Sequence, residues 1–253
     1  MIMLKSRDEI ERMRVASGIV AEILAEIRDR VRPGVTTADL DEVAEELTRK
    51  KGARPAFKGY AVGGRAFPAS ICISVNDEVV HGIPSSHRTL REGDIVGLDF
   101  GVCRDGYFGD AAMTVAVGRV GEEASRLMEV TKAALAAGID AIRAGAHVAD
   151  ISAAIQDTAE AAGFSLVREF VGHGIGRSLH EDPQVPNYRT GARGVRLQEG
   201  LVLAIEPMVN AGRPEVYVKE DGWTAATRDG RLSAHFEHSV AVTPEGPYIL
   251  SLP

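Results

Sequence analysis

Four carboxylates stand where strands should be apolar. Asp99 sits in Ile95-Val96-Gly97-Leu98-Asp99-Phe100, and Asp110 in Gly109-Asp110-Ala111-Ala112. Glu206 closes Leu201-Val202-Leu203-Ala204-Ile205-Glu206-Pro207, and Glu237 lies in Ala234-His235-Phe236-Glu237-His238-Ser239-Val240. An ionised carboxylate on a core strand is costly unless it is paired or bound to metal. A single such acid is usually an ion-pair partner, but here four occur with no comparable set of Lys or Arg in the strands. A nitrogen donor is at hand in Gly172-His173-Gly174, where flanking glycines permit close backbone approach and leave the imidazole unobstructed. His180 follows seven residues on, and His81 begins a turn at the end of Val79-Val80. A lone His is more often a satisfied core or surface residue, which is the reading for His87 and His147.

Four carboxylates and one imidazole form a hard, oxygen-rich donor set that suits Mn, Fe or Co better than a thiolate-loving structural zinc. Four negative ligands balance two divalent ions, held about 3.5–4 Å apart by bridging carboxylates. Water between such ions loses a proton near neutral pH, so the chemistry indicated is hydrolysis.

The strands that must carry these residues are readable. Asp94 to Phe100 and Ala111 to Val117 flank Arg104-Asp105-Gly106, a hairpin signal. With the loop centred between Arg104 and Asp105, Asp99 pairs directly with Asp110, their Cβ atoms about 5 Å apart. Ile71 to Val75, Leu201 to Ile205, Val216 to Val218 and Phe236 to Val242 read as further strands. Helices come in pairs. Ile19, Val20, Ile23, Leu24, Ile27 and Val31 recur at helical spacing before Arg32-Pro33-Gly34; a second helix follows Thr36 or Thr37 and stops at Gly52. The same plan returns 111 residues later, where Arg143-Ala144-Gly145 precedes a helix that ends near Gly163. The prediction is one α+β domain over 1–253, with an antiparallel sheet, helices on one face, and two pseudo-symmetric halves of about 1–120 and 121–253.

Composition narrows the function class. The 253 residues carry 29 Lys+Arg against 36 Asp+Glu, a net charge of −7, so the diffuse positive field of nucleic-acid and anionic-membrane binders is missing. No DNA and no membrane partner is expected. Apolar residues at 45 % and charged residues at 26 % suit a globular protein. Cys72 and Cys103 lie far apart with no metal or redox spacing. The opening Met1-Ile2-Met3-Leu4-Lys5-Ser6-Arg7-Asp8-Glu9 turns charged before an apolar stretch can form, and no span of uncharged apolar residues is long enough for a membrane helix. A cytoplasmic location is therefore expected.

The ordered set Asp99, Asp110, His173, Glu206, Glu237 resembles the metal ligands of the methionine aminopeptidases. Its flanks are similar to those of the bacterial type I members: Ser74-Val75-Asn76-Asp77-Glu78-Val79-Val80-His81-Gly82-Ile83-Pro84, Gly172 to Arg177 continuing through His180-Glu181 to Tyr188, Ile205-Glu206-Pro207 and Phe236-Glu237-His238-Ser239. The resemblance covers nearly the whole chain. It implies the pita-bread fold of the creatinase/aminopeptidase group and release of N-terminal methionine from peptides and nascent chains, with a small second residue preferred. It implies two divalent ions, one chelated by Asp99, the other bound by His173 and Glu206, with Asp110 and Glu237 bridging. By the same resemblance Glu206 accepts a proton, His180 hydrogen-bonds the substrate amide or carbonyl, and His81 assists the scissile nitrogen. Tyr60, Phe67, Cys72, Leu179 and Trp223 line the methionine pocket. A monovalent cation near Asn76 and Ser233, transient contact with the ribosome and a monomeric state belong to the same expectation.

The chain departs from that family at several points. Leu179 stands where Phe is usual, and Phe57 where Cys is common in some members. The Tyr60-to-Cys72 connection is longer than usual through Ala61-Val62-Gly63-Gly64-Arg65-Ala66, and His235 replaces a commoner Gln and is expected to approach the metals. The rival readings are an X-Pro aminopeptidase or prolidase of the same fold and a binding protein that has lost catalysis. The first usually carries a substantial N-terminal domain and the second lacks ligands that are all present here.

Overall fold

A computed structural model describes residues 2–252. Among the described residues four helices form, α1 (Arg7–Arg28), α2 (Thr37–Lys50), α3 (Glu122–Asp140) and α4 (Val148–Ala161). The periodic run expected from Ile19 forms the C-terminal part of α1 as far as Ile27, while Val31 lies beyond the helix end at Arg28; α1 starts earlier than expected because Ser6 and Glu9 form a reciprocal capping box. The two pairs share backbone detail at the 111-residue offset. Thr36 N donates to Asp39 Oδ2 at 2.8 Å and His147 N to Asp150 Oδ2 at 2.7 Å. Leu90 N donates to Val35 O, and Leu197 N to Ala146 O, so each pair enters its second helix against an extended segment.

A long antiparallel sheet runs in the order Arg54–Pro55, Ile95–Arg104, Tyr107–Ala116, Glu237–Thr243, Val202–Ile205, Gly172–Gly174, Glu181–Val185. Cys72–Val75 also pairs with Ile95–Arg104, and Gly246–Ile249 with Glu237–Thr243. The period-two alternation of strands divides the sheet's side chains between two faces. Val96, Leu98, Phe100 and Val102 pack into one cluster with Val20, Ile23, Leu24 and Ile27 of α1 and Leu40 of α2. Leu203, Ile205, Val240 and Val242 pack into another with Leu127 and Ile139 of α3 and Ile151 and Ile155 of α4. Each such side chain contributes about 1.5–3 kcal/mol by leaving water. Both helix pairs thus cover one face, and the intervening positions, the acids among them, fall on the other.

The hairpin register differs from expectation. Arg104 pairs with Tyr107, leaving Asp105 and Gly106 as a two-residue loop with φ of 50° and 80°. Both central residues with positive φ make a type I′ turn, the form that matches strand twist and that Asp-Gly favours. Asp99 therefore pairs with Ala112, and Asp110 with Gly101. The two acids are diagonal rather than opposite. An offset of two residues keeps them on one face.

Candidate metal centre

The five ligand-type residues lie in two adjacent rows across this open face. One row runs Cys72, Asp99, Ala112, Glu237 through successive cross-strand partners. Glu206 joins it beside Glu237, one residue beyond the last ladder pair, Ile205 with His238. The second row runs His173, Ala204, Ser239 and then Asp110, whose backbone carbonyl accepts from Ser239 Oγ at 2.8 Å. Small residues between the acids keep the rows open. The glycines around His173 also have a steric reason: a Cβ at Gly172 would lie 2.4 Å from Ala204 O, and one at Gly174 2.2 Å from Asp182 O.

The donor atoms converge. One ligand atom each from Asp110, His173 and Glu237 lies within 4.8 Å of the others, and His173 Nε2 is 3.4 Å from Glu206 Oε1. Asp99 stands outside that tight trio but lines the same cavity. His173 Nδ1 lies 2.9 Å from Gly174 O. A carbonyl can only accept, so the proton sits on Nδ1 and Nε2 keeps its lone pair for a metal. Burial lowers the His173 pKa to about 3, helped by His180, so the ring is neutral at physiological pH.

Burial pushes Asp99 up to about 7. Asp110, Glu206 and Glu237 rise well above the usual carboxylate range, first through burial and then through the charge of neighbouring acids. Asp110 Oδ1 and Glu237 Oε1 are buried without a hydrogen-bond partner. Among the described residues, no Lys or Arg forms an ion pair with any of the four. Mutually repelling acids without a Lys or Arg partner, beside a neutral imidazole, are the electrostatic complement of divalent cations.

The cavity above these rows measures about 100 Å³. His81 and His180 line it, as do Tyr60, Phe67, Cys72, Leu179 and Trp223, together with Phe57. His81 has φ of 61° just past the Glu78–Val80 strand, and its ring meets Phe170 edge-on at 5.3 Å. Phe170, Val80 and Met208 also line the cavity and escaped the sequence reading, since isolated apolar residues carry no motif. His235 is buried and its Nε2 lacks a hydrogen-bond partner; Glu206 Oε2 is 3.9 Å away. Asn76 and Ser233 stand outside the cavity lining, joined by Ser233 N donating to Asn76 O at 2.9 Å.

The sequence model of metallopeptidase family M24 matches residues 11–244. A methionine aminopeptidase of Clostridium perfringens is 51% identical over 252 residues, spanning 100% of this chain and 99% of its own length. The chain belongs to metallopeptidase family M24, among the bacterial type I methionine aminopeptidases. The crystal structure of methionine aminopeptidase from Thermotoga maritima superposes with a TM-score of 0.96 at 47% identity, each chain fully covered. Prolidase from Pyrococcus furiosus shares the pita-bread fold alone: TM-score 0.78, 21% identity, 99% of this chain and 65% of that one. As a family M24 metallopeptidase with this donor set, the chain uses divalent metal. Among the described residues, no helix is long and apolar enough to cross a membrane.

Proposed function

We propose that this chain removes the N-terminal methionine from nascent proteins and peptides by metal-dependent hydrolysis, with a small second residue preferred. The observation that carries the reading is the convergence of buried acids, two with an unpartnered oxygen, and a lone-pair-bearing imidazole in a cavity lined by aromatic and sulfur-bearing side chains. Asp99, Asp110, His173, Glu206 and Glu237 would hold two divalent ions drawn from Mn, Fe or Co. Such ions supply Lewis acidity and lower the pKa of water. Glu206 accepts the proton of the attacking water. His180 hydrogen-bonds the carbonyl oxygen as negative charge develops there, an interaction worth several kcal/mol in many enzymes. His81 stabilises the departing nitrogen. Tyr60, Phe67, Cys72, Leu179 and Trp223 receive the methionine side chain, whose thioether packs well against aromatic rings.

Two pseudo-symmetric halves, about 1–120 and 121–253, form the single catalytic domain in this reading. The wider proposal includes a monovalent cation near Asn76 and Ser233, a monomer in the cytoplasm, and transient work at the ribosome. The test is peptide hydrolysis after chelation and add-back of Mn, Fe, Co or Zn. Metal-restored release of Met from Met-Ala-Ser, with Leu-Ala-Ser left intact, supports the proposal. Cleavage before Pro regardless of the first residue, in Met-Pro-Ala-Ser and Ala-Pro-Ala-Ser alike, overturns it, as does a metal-loaded protein that releases nothing.

A further inference from the structure

Tyr60 belongs to the apolar wall, yet its hydroxyl is engaged in the reacting part of the cavity. Tyr60 Oη lies 2.8 Å from His180 Nδ1, with the rings tilted at 5.2 Å. The His180 ring in turn stands 4.3 Å from that of His173. A neutral imidazole has one ring nitrogen that donates and one that accepts, and its partner decides which is which. A phenol is the stronger acid and the poorer acceptor of the two groups, so O–H to imidazole nitrogen is the favoured direction. We propose that Tyr60 is a positioning residue: its hydroxyl donates to His180 Nδ1, holding the proton on Nε2 so that an N–H, not a lone pair, meets the substrate carbonyl oxygen. The proposal rests on the peptidase reading for the role of His180.

The longer Tyr60-to-Cys72 connection supplies the brace. Ala61–Val62 and Arg65–Ala66 pair as a small hairpin, and its ladder continues inward where Phe67 N donates to Tyr60 O at 2.8 Å and Gly59 N to Phe67 O at 2.9 Å. Tyr60 N donates to Phe57 O at 2.8 Å. At the other end the Arg65 guanidinium lies against Gly222, the neighbour of Trp223 in sequence. Tyr60 is therefore held at the base of this hairpin by backbone hydrogen bonds to Phe57 and Phe67. A tyrosine serving only as a wall would need the ring alone. A fixed tautomer matters because the wrong one would set a lone pair against a developing negative charge, the reverse of preorganised stabilisation.

Tyr60→Phe keeps the ring and removes the donor. With Met-Ala-Ser, the expected result is a fall in kcat of about tenfold with KM changed less than twofold, a smaller loss than removing the oxyanion donor itself. In ¹⁵N-histidine NMR spectra of the metal-stripped protein, His180 Nδ1 should show an acceptor shift in the parent and a tautomer mixture in the variant. This readout does not depend on turnover, so it remains decisive even if the peptidase reading fails. In a His180→Ala background, Tyr60→Phe should cost nothing further. An unchanged tautomer in Tyr60→Phe overturns the proposal, as does parental kcat or an equal loss of activity without His180.

Discussion

Lys5 Nζ lies 2.5 Å from Glu181 Oε2, joining the N-terminal segment to the residue next to His180. Both side chains are shielded from water, at 4% and 10% relative exposure. Glu181 Oε1 accepts from Arg177 N at 2.8 Å and Ser178 N at 3.1 Å, so this carboxylate shapes the turn that presents Leu179 and His180. The Lys5 stem passes where a Cβ at Gly176 would lie 2.4 Å from Lys5 Cε. Removing one partner of a buried pair leaves an uncompensated charge, at a cost of about 3–5 kcal/mol. Lys5→Met should therefore lower stability by that amount in urea unfolding and reduce kcat. Adding Glu181→Gln should recover much of the stability, because no charge is then stranded. A Lys5→Met protein as stable as the parent would contradict this.

Neutralising one acid separates the metal role from a structural one. Asp99→Asn or Glu237→Gln should abolish Met-Ala-Ser hydrolysis while the circular dichroism spectrum stays parental. Because burial and repulsion penalise these charges without metal, the metal-stripped variants should melt at or above the parent's temperature at pH 8. Parental turnover in either variant would refute the dinuclear assignment, and a large drop in metal-free melting temperature would indicate that the acid serves the fold.

The same groups set a pH signature. Asp99 rises from its ordinary 3.8 to about 7, so in the metal-free protein its stabilising contribution is complete below 3.8 and lost as pH rises through 7. His173 and His235 fall from 6.5 to about 3, so theirs is present above 6.5 and lost as pH falls. The two effects oppose each other in mildly acid solution and separate above pH 6.5. From there to pH 8 the metal-free protein should lose stability while metal affinity climbs, since binding must displace protons from the acids. Calorimetric titration of metal in buffers of different ionisation enthalpy should show proton release that shrinks with rising pH. Release that is absent throughout this window would count against shared, protonated carboxylates.

The candidate metal centre was legible in the sequence because its signal is a contradiction: acids at positions where burial demands apolar side chains. Each of the five lines one cavity, as do His81 and His180. The hairpin register was harder. Arg104-Asp105-Gly106 marks a turn, but whether the two loop residues are 104–105 or 105–106 depends on the φ values that Asp105 and Gly106 adopt. Lys5 and Glu181 were invisible because the pair joins residues 176 positions apart, and no local pattern encodes such a contact. His235 raised only an expectation of approach to the metals, and its distance to Glu206 could come only from the packing of the Ser233–His235 strand against Met208–Asn210.

Two glycines on one strand test how tightly the floor of the site is packed. Gly97 and Gly101 both belong to Ile95–Arg104 and share the face of Asp99. A Cβ at Gly97 would find nothing nearer than Ser74 O at 3.6 Å, an ordinary contact. A Cβ at Gly101 would lie 2.9 Å from Phe57 Cε1, 3.1 Å from Ala56 Cβ and 3.2 Å from Asp110 Oδ1. Neither residue has a positive φ, so alanine at either brings no backbone strain and the difference is one of space. Gly97→Ala should leave metal affinity within about twofold of the parent and change stability by less than about 1 kcal/mol. Gly101→Ala should displace the Asp110 carboxylate or the Phe57 ring, weakening metal binding by about tenfold or more. It should also alter the ratio of Met to Leu cleavage. Calorimetry of metal binding and the paired peptides Met-Ala-Ser and Leu-Ala-Ser measure both effects. Equal behaviour of the two variants would mean that the Asp110 side chain has room to move without cost, and that Gly101 is not required by the metal centre.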